Sequence, residues 1–206
     1  MNPSRLADTR GLYAITPEGL DDASLLKSAS RVLSGGAVAI QYRAKSRANR
    51  ETARALADLC RRYGAMLIIN DDPKLAAAVD ASGVHLGRSD KSIKEARREM
   101  GSSRIIGVSC YGDLERARDL AARGADYLAF GSMYASPTKP DAVRCRPEIL
   151  TAARRLGKPV VAIGGITLER APELIDAGAD LLAVISDLFD APDIEARAAA
   201  YSRLFD

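Results

Sequence analysis

At 206 residues the chain suits one domain and sits near the short end of the range for a closed eight-unit α/β barrel, which leaves little room for a second domain. Hydrophobic residues at 47% and charged residues at 28% describe a globular chain with enough apolar mass for a sizeable core, and they exclude a disordered one. The net charge of +3 arises from interspersed basic and acidic residues, aromatic residues make up only 5% and Trp is missing, so a nucleic-acid platform built on base stacking and a basic stripe is disfavoured.

Taken from the start, residues 1–10 read as a short polar extension without the apolar segment of a secretory signal, and no apolar run approaches the roughly 18 residues of a membrane span. A cytoplasmic protein without a membrane partner is expected. The first apolar run, Leu12–Ile15, is followed by Ala37–Tyr42, Met66–Ile69, Gly83–Leu86, Arg104–Val108, Tyr127–Phe130, Pro159–Ile163 and Leu181–Ile185, eight in all. Their brevity and β-branched content predict buried parallel strands. Helical patterning falls between them, at about Ala23–Ser34, Arg47–Tyr63, Pro73–Ala78, Ile93–Met100, Leu114–Arg123, Pro147–Leu156, Leu168–Ala177 and Asp193–Leu204. This alternation predicts a (β/α)8 TIM barrel as a single domain over residues 1–206. A doubly wound open sheet is the competing architecture, but Thr16-Pro17-Glu18-Gly19 stands after the first strand where a dinucleotide fingerprint would be. Glycines fall just past the periodic stretches, and the segments at 122–126 and 176–180 read as one helix-stop and strand-start device used twice.

In such a barrel the chemistry collects where strands end and βα loops begin. Gln41, Arg43 and Lys45 alternate after the second strand and so share one side of an extended backbone; they suit phosphate oxygens, and equally a solvated strand end. Asn70 and Asp71 follow the third strand, and Asp90 follows the fourth. Two carboxylates from neighbouring strand ends suit Mg²⁺, which takes oxygen ligands and completes its shell with water and substrate phosphates. Helix capping is the other use for such residues; capping is expected for Asp72, which precedes Pro73, and metal binding for Asp71 and Asp90. Ser109 ends the fifth strand. Ser136, Thr138 and Lys139 lie after the sixth, in a segment that suits either an anion-closing loop or an exposed turn. Gly164-Gly165 after the seventh strand and Ile185-Ser186 after the eighth lie where barrels often hold a phosphate monoester, although a tight turn also explains the glycines. His85, the one histidine, is expected in a hydrogen-bonded interior role. Without a second histidine or a partnered nucleophile, a hydrolytic triad has little support. Cys60, Cys110 and Cys145 fit no paired spacing and read as reduced thiols.

Taken in order, Gln-Tyr-Arg-Ala-Lys at 41–45, Ile-Asn-Asp at 69–71, Gly-Val-His-Leu-Gly-Arg-Ser-Asp at 83–90, Gly-Val-Ser at 107–109, Ser-Pro-Thr-Lys at 136–139, Ala-Ile-Gly-Gly-Ile at 162–166 and Ala-Val-Ile-Ser at 183–186 strongly resemble the thiamine-phosphate synthase family. The resemblance runs from about Gly11 to Leu188. It implies a Mg²⁺-dependent transferase that joins an aminopyrimidine methyl diphosphate to a thiazole phosphate. It further implies that Gln41, Arg43, Lys45, Asn70, Ser109 and Lys139 bind the pyrimidine diphosphate, that Asp71 and Asp90 hold Mg²⁺, and that Ser136, Thr138, Gly165, Ile185 and Ser186 hold the thiazole phosphate. Arg43, Lys45, Ser109 and Lys139 would be the catalytic contacts. The family's dissociative chemistry needs no protein nucleophile. Ser136 stands where relatives often have Thr, and Tyr111 where they frequently have His. The alternatives are a thiazole tautomerase of the same superfamily and a silent phosphate-binding barrel; the retained Arg43, Lys45, Asp71 and Asp90 speak for the synthase. The Ala-rich helices also offer an outer patch for a homo-oligomer.

Overall fold

A computed structural model describes residues 6, 8–44, 48–135 and 144–206. The strands are β1 (Gly11–Ile15), β2 (Ala39–Tyr42), β3 (Met66–Asn70), β4 (Gly83–Leu86), β5 (Ile105–Tyr111), β6 (Tyr127–Phe130), β7 (Val160–Ile163) and β8 (Leu181–Val184). They pair in parallel in sequence order, and β8 returns to β1 with Gly11 beside Leu181, closing the sheet so that no edge remains. The helices are α1 (Asp22–Ser34), α2 (Arg50–Arg62), α3 (Pro73–Ala78), α4 (Ile93–Met100), α5 (Leu114–Ala122), α6 (Glu148–Arg154), α7 (Ala171–Asp176), α8 (Ser186–Phe189) and α9 (Ile194–Ser202), followed by a 3-10 turn at Arg203–Phe205. The (β/α)8 barrel expected from the alternation of runs is the observed fold.

Both faces of every strand are covered, which is why the sequence shows continuous apolar runs rather than alternation. Leu12, Ile40, Leu67, Val84, Ile106 and Leu182 face outward and pack under the helices. Tyr13, Ala39, Ile68, Tyr127, Val161 and Leu181 fill the interior. Leu6 joins that interior group at 2% exposure, so the segment before β1 contributes an apolar anchor and is not polar throughout.

The repeated segments do the same work. Asp126 takes the backbone N–H of Ile106 on its Oδ2 at 2.8 Å while its own N–H donates to the Ile106 carbonyl at 2.8 Å. Asp180 repeats the clamp on Val160, at 2.9 and 2.8 Å. Each Asp thus ties the start of its strand to the start of the preceding one. Gly124 and Gly178, with φ of +94° and +112°, let the chain leave the helix and enter that clamp.

Several boundaries differ from expectation, among them the second helix, which starts at Arg50 rather than Arg47. The strand expected to end at Val108 continues to Tyr111 through a register shift between Ser109 and Tyr111. The seventh helix starts at Ala171 rather than Leu168, because Thr167–Arg170 are spent on a turn before Pro172 at N2. Helix α8, four residues long, is too short to leave a periodic pattern. Among the described residues, no helix is long and apolar enough to cross a membrane.

Candidate active site

Gln41 lies inside β2 rather than beyond it, with its amide turned into the barrel, 3% exposed, and Nε2 donating to the Tyr13 hydroxyl at 2.8 Å. Arg43 follows the strand. Its backbone N–H donates to Thr16 Oγ1 at 2.9 Å and its guanidinium to Glu18 Oε1 at 2.8 Å, so the loop after β1 holds it at the mouth. Lys45 lies outside the described residues.

Asn70 closes β3, half-buried. Asp71 follows with φ +63°, a left-handed backbone that Asp tolerates better than most residues and that its surroundings must hold; its N–H donates to the His85 carbonyl at 2.9 Å. Asp72 caps α3, accepting from the N–H groups of Lys74 and Leu75 at 2.9 and 3.0 Å. Asp90 is not a cap. Ser92 and Glu95 form the capping box of α4, whereas Asp90 Oδ2 accepts from the Gly87 N–H at 2.6 Å. Asp71 and Asp90 are therefore both tied to the end of β4, one through His85 and the other two residues on through Gly87. Among the described residues no group of three or more His, Cys, Asp and Glu gathers as a metal cluster. Two carboxylates are a donor set that suits Mg²⁺, an ion that keeps several waters and takes phosphate oxygens.

His85 sits in β4, 9% exposed, with Nδ1 2.9 Å from the Tyr127 hydroxyl and Nε2 2.9 Å from Ser109 Oγ. The interior, hydrogen-bonded role expected for it is what the structure shows. Burial pushes the hydroxyls of Tyr13 and Tyr127 well above the ordinary tyrosine range. Tyr111, at φ +57°, lies between the guanidinium groups of Arg88 and Arg116, 5.0 and 5.8 Å from its ring centre, and its hydroxyl accepts from the Arg88 N–H at 3.2 Å. Tyr111 thereby links β5 to the segment that carries Asp90.

Across the mouth, a cavity of about 430 Å³ lies between the loops after β7 and β8. Gly165, Ile185 and Ser186 line it together, with Ser186 opening α8. Gly165 has φ +62°, and a Cβ there would lie 2.3 Å from the Ala135 carbonyl oxygen, so the turn needs glycine both for its backbone and for the close approach of the loop after β6. Two cations that sequence reasoning missed also line the cavity. Arg170 donates to the Gly165 carbonyl at 3.0 Å and stacks 4.8 Å from the centre of the Tyr134 ring; Arg197 reaches in from α9 and pairs with Asp187 at 3.4 Å. Nothing in the spacing of Arg197 marks it; the turn of the chain from α8 into α9 brings it beside Asp187, ten residues away in sequence. The Tyr134 hydroxyl donates to Glu173 at 2.6 Å, and burial together with that carboxylate pushes it up to about 12. Ser136, Thr138 and Lys139 lie outside the described residues.

A family model described as thiamine monophosphate synthase matches residues 12–188. The chain is 56% identical over 200 residues to a thiamine-phosphate synthase of Azoarcus sp., covering 95% of this chain and 97% of that one. It is 51% identical over 208 residues to a thiamine-phosphate synthase of Methylobacillus flagellatus, covering 100% of both. Among solved structures, the thiamine phosphate pyrophosphorylase from Pyrococcus furiosus matches with a TM-score of 0.85 at 36% identity, over 97% of this chain and 96% of that one. With the matched family model running from the first strand to the helix after the eighth, and half of all positions shared with full-length relatives, the chain belongs to the thiamine monophosphate synthase family.

Proposed function

We propose that this barrel joins an aminopyrimidine methyl diphosphate to a thiazole phosphate, giving thiamine monophosphate and diphosphate. One observation carries the reading: a single mouth holds two separate regions suited to anions. Arg43, Asp71 and Asp90 stand at the ends of β2 to β4, and the cavity lined by Gly165 and Ser186 lies at the ends of β7 and β8. A coupling reaction between two phosphorylated substrates needs both.

Asp71 and Asp90 would hold Mg²⁺, which when bound supplies positive charge to the diphosphate oxygens. Arg43, Lys45 and Lys139 would add the remaining positive charge as the C–O bond to the diphosphate breaks. Gln41, Asn70 and Ser109 would orient the pyrimidine ring, whose electron-rich system carries the methyl cation left behind. Ser136, Thr138, Gly165, Ile185 and Ser186 would hold the thiazole phosphate so that the thiazole nitrogen forms the new C–N bond. Electrostatic stabilisation of the leaving group and alignment of the two substrates are the main sources of rate in such a scheme. Retention of the carboxylate pair and Arg43 favours this activity over a thiazole tautomerase or a silent phosphate-binding barrel, neither of which needs a diphosphate site. The three buried free cysteines support a reducing, cytoplasmic setting.

Incubation of the purified protein with both substrates and Mg²⁺ tests the proposal. Thiamine monophosphate and diphosphate are expected in equal amounts; their absence while circular dichroism shows a folded protein would sink it.

A further inference from the structure

Five polar side chains from five strands form one hydrogen-bonded line through the barrel. Gln41 Nε2 donates to the Tyr13 hydroxyl at 2.8 Å; the hydroxyls of Tyr13 and Tyr127 are 2.9 Å apart; Tyr127 is 2.9 Å from His85 Nδ1, and His85 Nε2 is 2.9 Å from Ser109 Oγ. Four of the five are buried, and Ser109 alone is partly open, at the mouth. Such an interior is otherwise filled by apolar side chains, and a polar line there is costly unless each donor meets an acceptor. The fold makes room for it. Gly107 stands opposite Tyr127 in register, and a Cβ at Gly107 would lie 1.8 Å from Tyr127 Cζ.

Counting protons gives the line a direction. The Tyr13 oxygen accepts the amide proton of Gln41, so the single proton of Tyr13 goes to Tyr127. The proton of Tyr127 then goes to His85 Nδ1, which must be unprotonated to accept it. The imidazole proton therefore sits on Nε2 and is donated to Ser109, whose own proton is left for a further acceptor.

We propose that Tyr13, Tyr127 and His85 are positioning residues that act as a directional relay, turning the Gln41 carbonyl oxygen away from Tyr13 as an acceptor and leaving the Ser109 hydroxyl as a donor to the pyrimidine. This rests on the substrate reading given above. An aminopyrimidine offers an exocyclic amino donor and ring-nitrogen acceptors, so a site for it needs one group of each kind.

His85 is the one histidine in the chain, so isotope-labelled histidine gives a single imidazole whose two nitrogen shifts report the tautomer at neutral pH. A proton on Nε2 with none on Nδ1 is expected; a proton on Nδ1 overturns the proposal without any variant. Tyr127→Phe removes the donor to Nδ1. It is expected to mix the tautomers and to raise KM for the pyrimidine diphosphate roughly tenfold, with KM for the thiazole phosphate unchanged. Tyr13→Phe leaves Tyr127 its proton and is expected to keep the tautomer while raising the pyrimidine KM in the same way. Unaltered tautomer in Tyr127→Phe, or equal rises in both KM values, overturns the relay. A protein with the expected spectrum that forms no thiamine monophosphate supports the relay and defeats the catalytic reading, so the two failures are distinguishable.

Discussion

Asp71 and Asp72 are adjacent carboxylates with separate work, and single substitutions tell them apart. Asp72 satisfies two N–H groups at the start of α3, so Asp72→Ala is expected to lower stability by about 1 kcal/mol while turnover at saturating Mg²⁺ stays near its original value. Asp71→Asn keeps a residue that tolerates φ +63° but removes the charge. It is expected to cut Mg²⁺-dependent turnover roughly 100-fold, a loss of the size seen when a preorganised electrostatic contact is removed, and to leave thiazole phosphate binding by calorimetry within about twofold. An unchanged rate would defeat the metal assignment. At this scale the sequence marked Asp71, Asp72 and Asp90 as strand-end carboxylates. The cap expected at Asp72 from Pro73 is borne out by the two N–H groups it accepts, and the backbone adds that Ser92, not Asp90, fills the cap position of α4.

Between elements, the Asp clamps and the close loops carry the architecture. Asp126→Ala leaves the buried Ile106 N–H without its side-chain acceptor and Arg97 without its carboxylate, which lies 2.9 Å away. A loss of about 2 kcal/mol in urea unfolding is expected, and Asp180→Ala should cost a similar amount through Val160. A loss below about 0.5 kcal/mol in both would mean that water replaces the clamp. Gly165→Ala forces a side chain into the Ala135 carbonyl and strains a left-handed backbone. It is expected to raise KM for the thiazole phosphate roughly tenfold or more while sparing KM for the pyrimidine diphosphate, as measured by initial rates. The repeated segments were legible as a device from their residues. Their clamping bonds were not, since each joins residues 20 apart in sequence that only strand pairing brings together.

For the whole molecule, a tightly filled barrel and its helical coat hold weak acids in their neutral forms. Burial raises the thiols of Cys60 and Cys110 from 9.0 to about 12, and raises Tyr13 and Tyr127 from 10.0. A raised folded pKa means that folded and unfolded chains hold the same protons below pH 9, so these groups leave stability level there. Above pH 9 the unfolded chain releases protons that the fold retains, and stability falls toward pH 12. The urea midpoint is expected to decline steadily from pH 9 upward; a midpoint level to pH 11 would show that these groups reach solvent in the folded state. The sequence by itself determined the barrel, its strand count and the strand-end places of Arg43, Asn70, Asp71, Gly165 and Ser186, because short buried runs, helix stops and strand-end polar groups are local patterns. Tertiary structure alone decided which of those residues meet. The polar line from Gln41 to Ser109 joins residues far apart in the chain, and closure of the sheet places them within reach of one another, whereas Arg197 comes to the Ser186 cavity by the short return of α9 onto α8.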